Sequence, residues 1–294
     1  MGAWGGIGGP SCRRIHGSDR EGWCRAIRYV TSIKDPGYAG LAKAAGNPGS
    51  TQETVLDGVP LLEAAIHSGL PVTRVLWNED EAPDGYMGAL VGLLAGADVM
   101  SASRHLLHRI GISQVPPKCV FSVTIPVARV DAAGMPAAMA DAGDAVVLYG
   151  VSDPMNVGVI LRHAEAFGYC AVFAGDAAGP RGRQAVRSST GSALRVRLYE
   201  YGGGPEGLIA GLRGAGYAAC ASSAHGGVEL SGAALGARHA IIVGNETHGL
   251  GKGLREAADM DVRIAMAPGG AHSLNVGVAA SIMMYVGYTN ASGR

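Results

Sequence analysis

Long apolar runs are missing from this chain. No stretch of eighteen apolar residues occurs among its 294, so no membrane-spanning helix is expected. Cysteine is sparse: five residues, at positions 12, 24, 119, 170 and 220, never as a C-x-x-C pair. An odd, scattered set speaks against a disulfide framework and a zinc site, and fits a reducing cytoplasm. Nor is there a surplus of either charge, with 24 Lys and Arg against 24 Asp and Glu. The broad basic footprint of many nucleic-acid binders is therefore missing, and a local patch has to serve instead. Charged residues make up only 16% and hydrophobic ones 48%, which leaves room for a large core. The 47 glycines follow no G-X-Y period, which excludes collagen. Many end apolar runs, where a chain turns. Arg13-Arg14 is not followed by an apolar segment, so it makes no twin-arginine signal.

The length suits two domains. Residues 1–25 lack periodicity and are expected to form a flexible arm. A small α/β domain is expected over 26–128. Its clearest element is a helix over Val59–Ser68, with Leu61, Leu62, Ala65 and Ile66 at helical spacing. Residues 129–143, rich in small residues and carrying Pro136, are read as a linker. From 144 to 294 strand-like runs recur, at Ala145–Tyr149, Cys170–Ala174, Tyr217–Ala221, Ala240–Val243 and Val262–Met266. Helix-like segments separate them. That alternation predicts a parallel sheet covered on both faces.

Three blocks in this second half carry chemistry. In Asp153-Pro154-Met155-Asn156-Val157-Gly158, Asn156 can cap a helix. That helix buries Val157, Ile160, Leu161, Ala164 and Phe167, and Gly168 ends it. Arg162 lies off its apolar face. Next, Ile241-Ile242-Val243 runs into Gly244-Asn245-Glu246-Thr247-His248-Gly249, which sets backbone amides and a carboxylate at the carboxyl edge of a sheet, where ligands bind. A Walker loop would need Gly five residues before Gly251-Lys252, and Glu246 stands there. No dinucleotide fingerprint follows an early strand. The third block runs from Ile264 to Met266, through a Gly/Pro loop, into Ser273-Leu274-Asn275, with Ser273 expected to lead a helix. The histidines make no metal pattern; His105 and His108 lack a third ligand and are read as surface residues. His248 and His272 flank the expected pocket. Arg181, Arg183, Arg187, Arg195 and Arg197 occur with no acid between Ala177 and Tyr199, a local patch suited to phosphates.

Together the three blocks resemble the signature of the SpoU/TrmH branch of the SPOUT methyltransferases. Leu56-Asp57-Gly58, Leu62-Glu63-Ala64-Ala65 and Gly69-Leu70-Pro71-Val72 are similar to the small recognition domain that precedes many catalytic SpoU domains. The basic residues usual there are replaced by the neutral stretch Gly46–Gln52. The resemblance implies a C-terminal parallel-sheet domain with a trefoil knot, and a homodimer. It implies transfer of a methyl group from S-adenosylmethionine (AdoMet) to a ribose 2′-hydroxyl of rRNA or tRNA, without membrane or metal. Arg162, Asn156, Glu246, Ser273 and Asn275 are the implied catalytic set. Gly244, Asn245, Ile264, Met266, Leu274, Ala221 and Ser222 are the implied cofactor contacts, and Arg181, Arg183 and Arg187 are read as the RNA contacts. The family assigns the general base to the position of Arg162, although guanidinium barely deprotonates. Orienting the hydroxyl, stabilising oxyanion charge or pairing with a phosphate are open roles for it, and Glu246 is open as a proton relay. Neutral charge keeps a nucleoside or other small acceptor in view, and a non-catalytic RNA- or AdoMet-binding protein is a further reading.

Overall fold

A computed structural model describes residues 27–46, 53–81, 89–90, 92–94, 96–112 and 115–292. The expected arm over 1–25, Cys12, Cys24 and residues 47–52 lie outside them. The chain divides into two compact units after Val123, with Glu53 and Thr54 counted with the second.

The first unit is built on a five-stranded sheet. In chain order its elements are β1 (Arg28–Val30), α1 (Pro36–Gly46), β2 (Glu53–Asp57), α2 (Val59–His67), β3 (Val72–Asn78), β4 (Asp98–Ala102), α3 (Arg104–Ile110) and β5 (Cys119–Thr124). The strand order is β1-β4-β3-β5-β2, with β3 parallel to β4 and antiparallel to β5. Leu62 and Ala65 are the buried residues of α2, and Gly69 just beyond it takes φ 66°, a left-handed value that suits glycine. Leu41, Leu76, Met100, Leu107 and Val120 form the core between sheet and helices. His105 and His108 are exposed on α3.

The second unit holds β6 (Ala128–Val130), α4 (Met135–Ala138), β7 (Ala145–Tyr149), α5 (Pro154–Phe167), β8 (Cys170–Ala174), α6 (Arg183–Ser188), β9 (Leu198–Tyr201), α7 (Pro205–Gly214), β10 (Ala218–Ser223), β11 (Val228–Glu229), β12 (His239–Val243), α8 (Lys252–Ala257), β13 (Met260–Arg263) and α9 (Val276–Ser292). Its eight strands run β11-β13-β10-β12-β7-β8-β9-β6, and every neighbouring pair is parallel. β8 and β12 are buried at all five positions, as a sheet covered on both faces requires. Each fully buried Val, Ile or Leu there contributes about 1.5–3 kcal/mol. From β7 the chain proceeds outward through β8 and β9, then returns beyond β12 to β10, so strand order reverses around the β7–β12 seam. A crevice outside the carboxyl ends of strands at such a reversal is where α/β sheets bind ligands.

Three local readings differ from expectation. Residues 129–143 carry β6 and α4, and Met135 and Met139 are fully buried: composition suggested a linker, but two methionines at helical spacing anchor the segment in the second core. β9 was not expected, because Arg195, Arg197 and Glu200 mask a short apolar run. The strand expected to reach Met266 ends at Arg263, where its neighbours β10 and β11 also stop at Ser223 and Glu229.

Candidate active site

The loop after β12 and the loop after β7 leave adjacent strands side by side, and Glu246 locks them together. Its Oε2 accepts from the Ser152 amide at 3.1 Å and the Ser152 hydroxyl at 3.0 Å. Its Oε1 accepts from the Asp153 amide at 3.0 Å and from Asn156 Nδ2 at 2.9 Å. Partial burial pushes this carboxyl up, but the hydrogen bonds from Asn156, Asp153 and Ser152 outweigh it and lower the pKa to about 2. Hydrogen bonds to the charged form have that effect. Asn156 Oδ1 in turn accepts from Asn275 Nδ2 at 2.9 Å. One chain of side chains, Glu246–Asn156–Asn275, thus joins all three sequence blocks across about ninety and a further thirty residues of separation.

Two capping assignments are corrected. Asn156 does not cap α5: Asp153 does, its carboxylate accepting from the Met155 amide at 2.9 Å. Asn156 sits in the first turn, buried, and its amide is spent on Glu246 and Asn275. The Asp153-Pro154 pair, a cap residue before a first-turn proline, was the available signal. Likewise Ser273 does not lead α9; Asn275 does, its Oδ1 accepting from Gly277 and Val278 amides at 2.9 and 3.2 Å. Ser273 is exposed on the loop before it.

Beside this network lies a cavity of about 780 Å³, within the range of small-molecule sites. Gly244, Asn245, Ile264, Met266, Leu274 and Ser222 all line it, together with Glu246, Ser273 and Asn275. Ala221 does not: it is fully buried within β10, two residues short of the strand's end at Ser223. Asn156 and Arg162 are also absent from the wall. Gly244 allows the loop to close, since a Cβ there would stand 2.6 Å from both Gly249 O and Leu250 N. His248 and His272, expected beside the pocket, are on its wall, and His225 and Arg255 join them. Apolar edges, exposed loop backbone and a few polar groups form a lining that fits a nucleoside joined to a charged tail.

Arg162 projects from α5 into solvent and has no hydrogen-bond or ion-pair partner among the described residues. The arginine patch is only partly open. Arg195 is paired with Glu165 of α5, and Arg197 donates to Asp141 O at 2.6 Å. The acid-free window in sequence missed Glu165 because it lies on the neighbouring helix. Arg181 Nε donates to Ile125 O at 2.9 Å, while Arg187 is exposed on α6. Cys119, Cys170 and Cys220 are buried free thiols, and burial raises their pKa values to about 12, 11 and 11, which leaves them unreactive. Among the described residues no His, Cys, Asp and Glu cluster could hold a metal ion, and no helix is long and apolar enough to cross a membrane.

Residues 144–285 match the model of the SpoU rRNA Methylase family. An uncharacterized tRNA/rRNA methyltransferase of Mycolicibacterium vanbaalenii is 30% identical over 252 residues, covering 79% of this chain and 74% of that protein. The 23S rRNA (uridine(2479)-2′-O)-methyltransferase of Streptomyces viridochromogenes is 27% identical over 238 residues, 79% of this chain and 81% of that protein. Among solved structures, an AdoMet-bound rRNA methyltransferase from Sinorhizobium meliloti superposes with a TM-score of 0.73 at 22% identity, covering 89% of this chain and 97% of that one. A SpoU methyltransferase from S. viridochromogenes gives 0.72 at 24% identity over 87% and 98%. These two likenesses speak to the fold.

Proposed function

The chain belongs to the SpoU methylase family, and from that premise we propose that it transfers a methyl group from AdoMet to a ribose 2′-hydroxyl of RNA, with rRNA or tRNA as the substrate class. The observation that carries this is the Glu246–Asn156–Asn275 network, which ties the first family block to the two blocks that line the cavity. When bound, AdoMet supplies an electrophilic sulfonium methyl. The protein's own part is to hold the partners in line, which supplies much of the rate. Gly244 and Asn245 offer backbone and amide groups, and Ile264, Met266 and Leu274 offer an apolar edge. Ser222 completes that lining.

Glu246 and Asn156 act as positioning residues: every oxygen of the carboxylate is engaged in fixing the loops. Ser273 and Asn275 stand at the wall where the acceptor would approach. Arg162, in solvent and unpaired among the described residues, suits orienting the acceptor or stabilising charge on its oxygen. Arg181, Arg183 and Arg187 supply contacts to RNA phosphates, with Arg187 the most open of the three. A homodimer is supported by α9. It carries no charged residue along Val276–Ser292, and Val278, Ile282 and Tyr285 expose one apolar stripe, at 47, 36 and 54%. A trefoil knot and a cytoplasmic setting accompany the same reading.

Labelled AdoMet offered with ribosomal RNA, transfer RNA and free nucleosides in separate reactions tests it. Label in RNA, recovered as a 2′-O-methylnucleoside after digestion, is the expected result. Label only in free nucleosides, insensitive to salt, would move the assignment to a small-molecule acceptor.

A further inference from the structure

Three adjacent strands, β13, β10 and β12, each send a loop from the carboxyl edge of the sheet, and each loop brings one histidine to the same cavity wall: His272, His225 and His248. The chain has nine histidines in all, so a third of them meet here. The other ionisable groups on that wall are Glu246 and Arg255. Glu246 has both oxygens occupied by donors and is held ionised by them. Taking up a proton would mean surrendering those bonds. Arg255 offers no lone pair and faces Asp261 at 3.6 Å. Arg162 is not on the wall. The three imidazoles are the remaining ionisable side chains on the wall with a ring nitrogen able to take a proton.

Of the three, His248 stands on the most constrained backbone. Asn245 Oδ1 accepts from the Thr247 and His248 amides at 2.9 and 3.1 Å. The Gly249 amide returns to Asn245 O at 2.9 Å, and Asn245 Nδ2 is itself tied to Gly150 O at 2.9 Å. By contrast, His272 follows a turn closed by Gly270 N–H to Ala267 O at 3.0 Å, and His225 lies inside a turn closed by one bond, from Gly226 N–H to Ser223 Oγ at 2.9 Å. A general base must be held in place, since its efficiency depends on geometry before acidity.

We infer that His248 is the general base that takes the proton of the acceptor hydroxyl; this rests on the methyltransferase function proposed above. The hydroxyl oxygen bonds to the methyl carbon as its proton passes to a ring nitrogen of His248. The carbon–sulfur pair stays on sulfur, and the imidazolium returns its proton to water.

The test measures kcat/KM for methyl transfer to RNA against pH, in the intact protein and in His248→Gln, His272→Gln and His225→Gln. The wild type should lose activity as pH falls through the range in which an imidazole is protonated. His248→Gln should be slower by about a hundredfold, at the low end of general-base effects, and its profile should lack that acid limb. The other two variants should keep it. Added imidazole should restore activity to His248→Gly. Two readouts do not depend on turnover. Calorimetry should find that His248→Gln still binds AdoMet, which also shows the variant folded. The His248 ring, followed by NMR, should titrate at the midpoint of the kinetic limb. An active wild type with His248→Gln within threefold of it and the acid limb intact overturns His248 as base, as does a limb that vanishes with His272 or His225 instead. A wild type that methylates no RNA removes the proposed function and this role with it.

Discussion

Glu246 is a carboxylate that chemistry alone would assign to proton transfer, yet its environment makes it a fastener. Four close donors converge on two oxygens, and an amide in its place would turn one acceptor into a donor facing the Ser152 or Asp153 amide. Glu246→Gln should therefore lower the thermal midpoint as well as the methyl-transfer rate, a pairing that calorimetry and the labelled-AdoMet assay would read together. Its depressed pKa makes a further demand. The stability this group contributes is fully present above the ordinary glutamate value of about 4.5 and is lost as pH falls towards about 2. In Glu246→Gln that part of the acid-unfolding curve should flatten. Arg162 is the opposite case. Exposed, and with no partner among the described residues, Arg162→Ala should leave stability within about 0.5 kcal/mol, as surface changes do, while methyl transfer is lost. Arg162→Lys should fail nearly as badly, because an ammonium cannot reproduce the planar fork. Normal turnover in Arg162→Ala would make Arg162 a solvated surface residue.

At the scale of elements, close helix approaches position the site. α5 rests on α6 through Gly158, where a Cβ would come 2.7 Å from the Ala185 carbonyl and collide with Ser188 Oγ. The backbone oxygen cannot swing aside, so Gly158→Ala should cost about 1–3 kcal/mol by overpacking, measurable by urea unfolding. Because α5 carries Asn156, the same change should weaken methyl transfer. A second fastening holds α9 from the opposite end of the sheet. Tyr169 hydroxyl meets His239 Nε2 at 2.5 Å and Met284 O at 3.3 Å, with His239 fully buried. Burial lowers the His239 pKa against the pull of Asp144, so the ring folds neutral. The unfolded chain then binds a proton that the native state does not, and stability should fall as pH drops below about 6.5. Tyr169→Phe strands the buried nitrogen and should cost about 1–3 kcal/mol.

For the whole molecule, the apolar stripe on α9 bears on assembly. A charge placed in it opposes burial against a second copy. Ile282→Asp should sediment as a monomer where the wild type sediments as a dimer; a wild type that is itself monomeric at assay concentrations would dismiss the dimer. The arginine patch shows how far a one-dimensional charge count reaches. Residues 177–199 contain no acid, but Arg195 had already met Glu165 from α5, so the open positive charge is smaller than the sequence count. Arg187→Ala should accordingly flatten the salt dependence of RNA binding by roughly one unit of slope per lost phosphate contact.

By itself the sequence determined the alternation of strand and helix in the second unit, because β7, β8 and β12 are unbroken apolar runs and α5 repeats its buried residues every three or four positions. It also marked three blocks through their joint resemblance to one family; taken singly, their glycine turns, amides and carboxylate are ordinary turn and capping patterns. Tertiary structure decided what those residues do. Both Asn156 and Asp153 can cap a helix, and both Ser273 and Asn275 can start one; the choice fell to Asp153 and Asn275 because Glu246, ninety residues from Asn156, claims the Asn156 amide, and Asn156 in turn claims Asn275. His248 and His272 were expected beside the pocket, but spacing along the chain could not show that His225 shares their wall. That follows from strand order, which sets β13, β10 and β12 side by side and brings their loops to one edge.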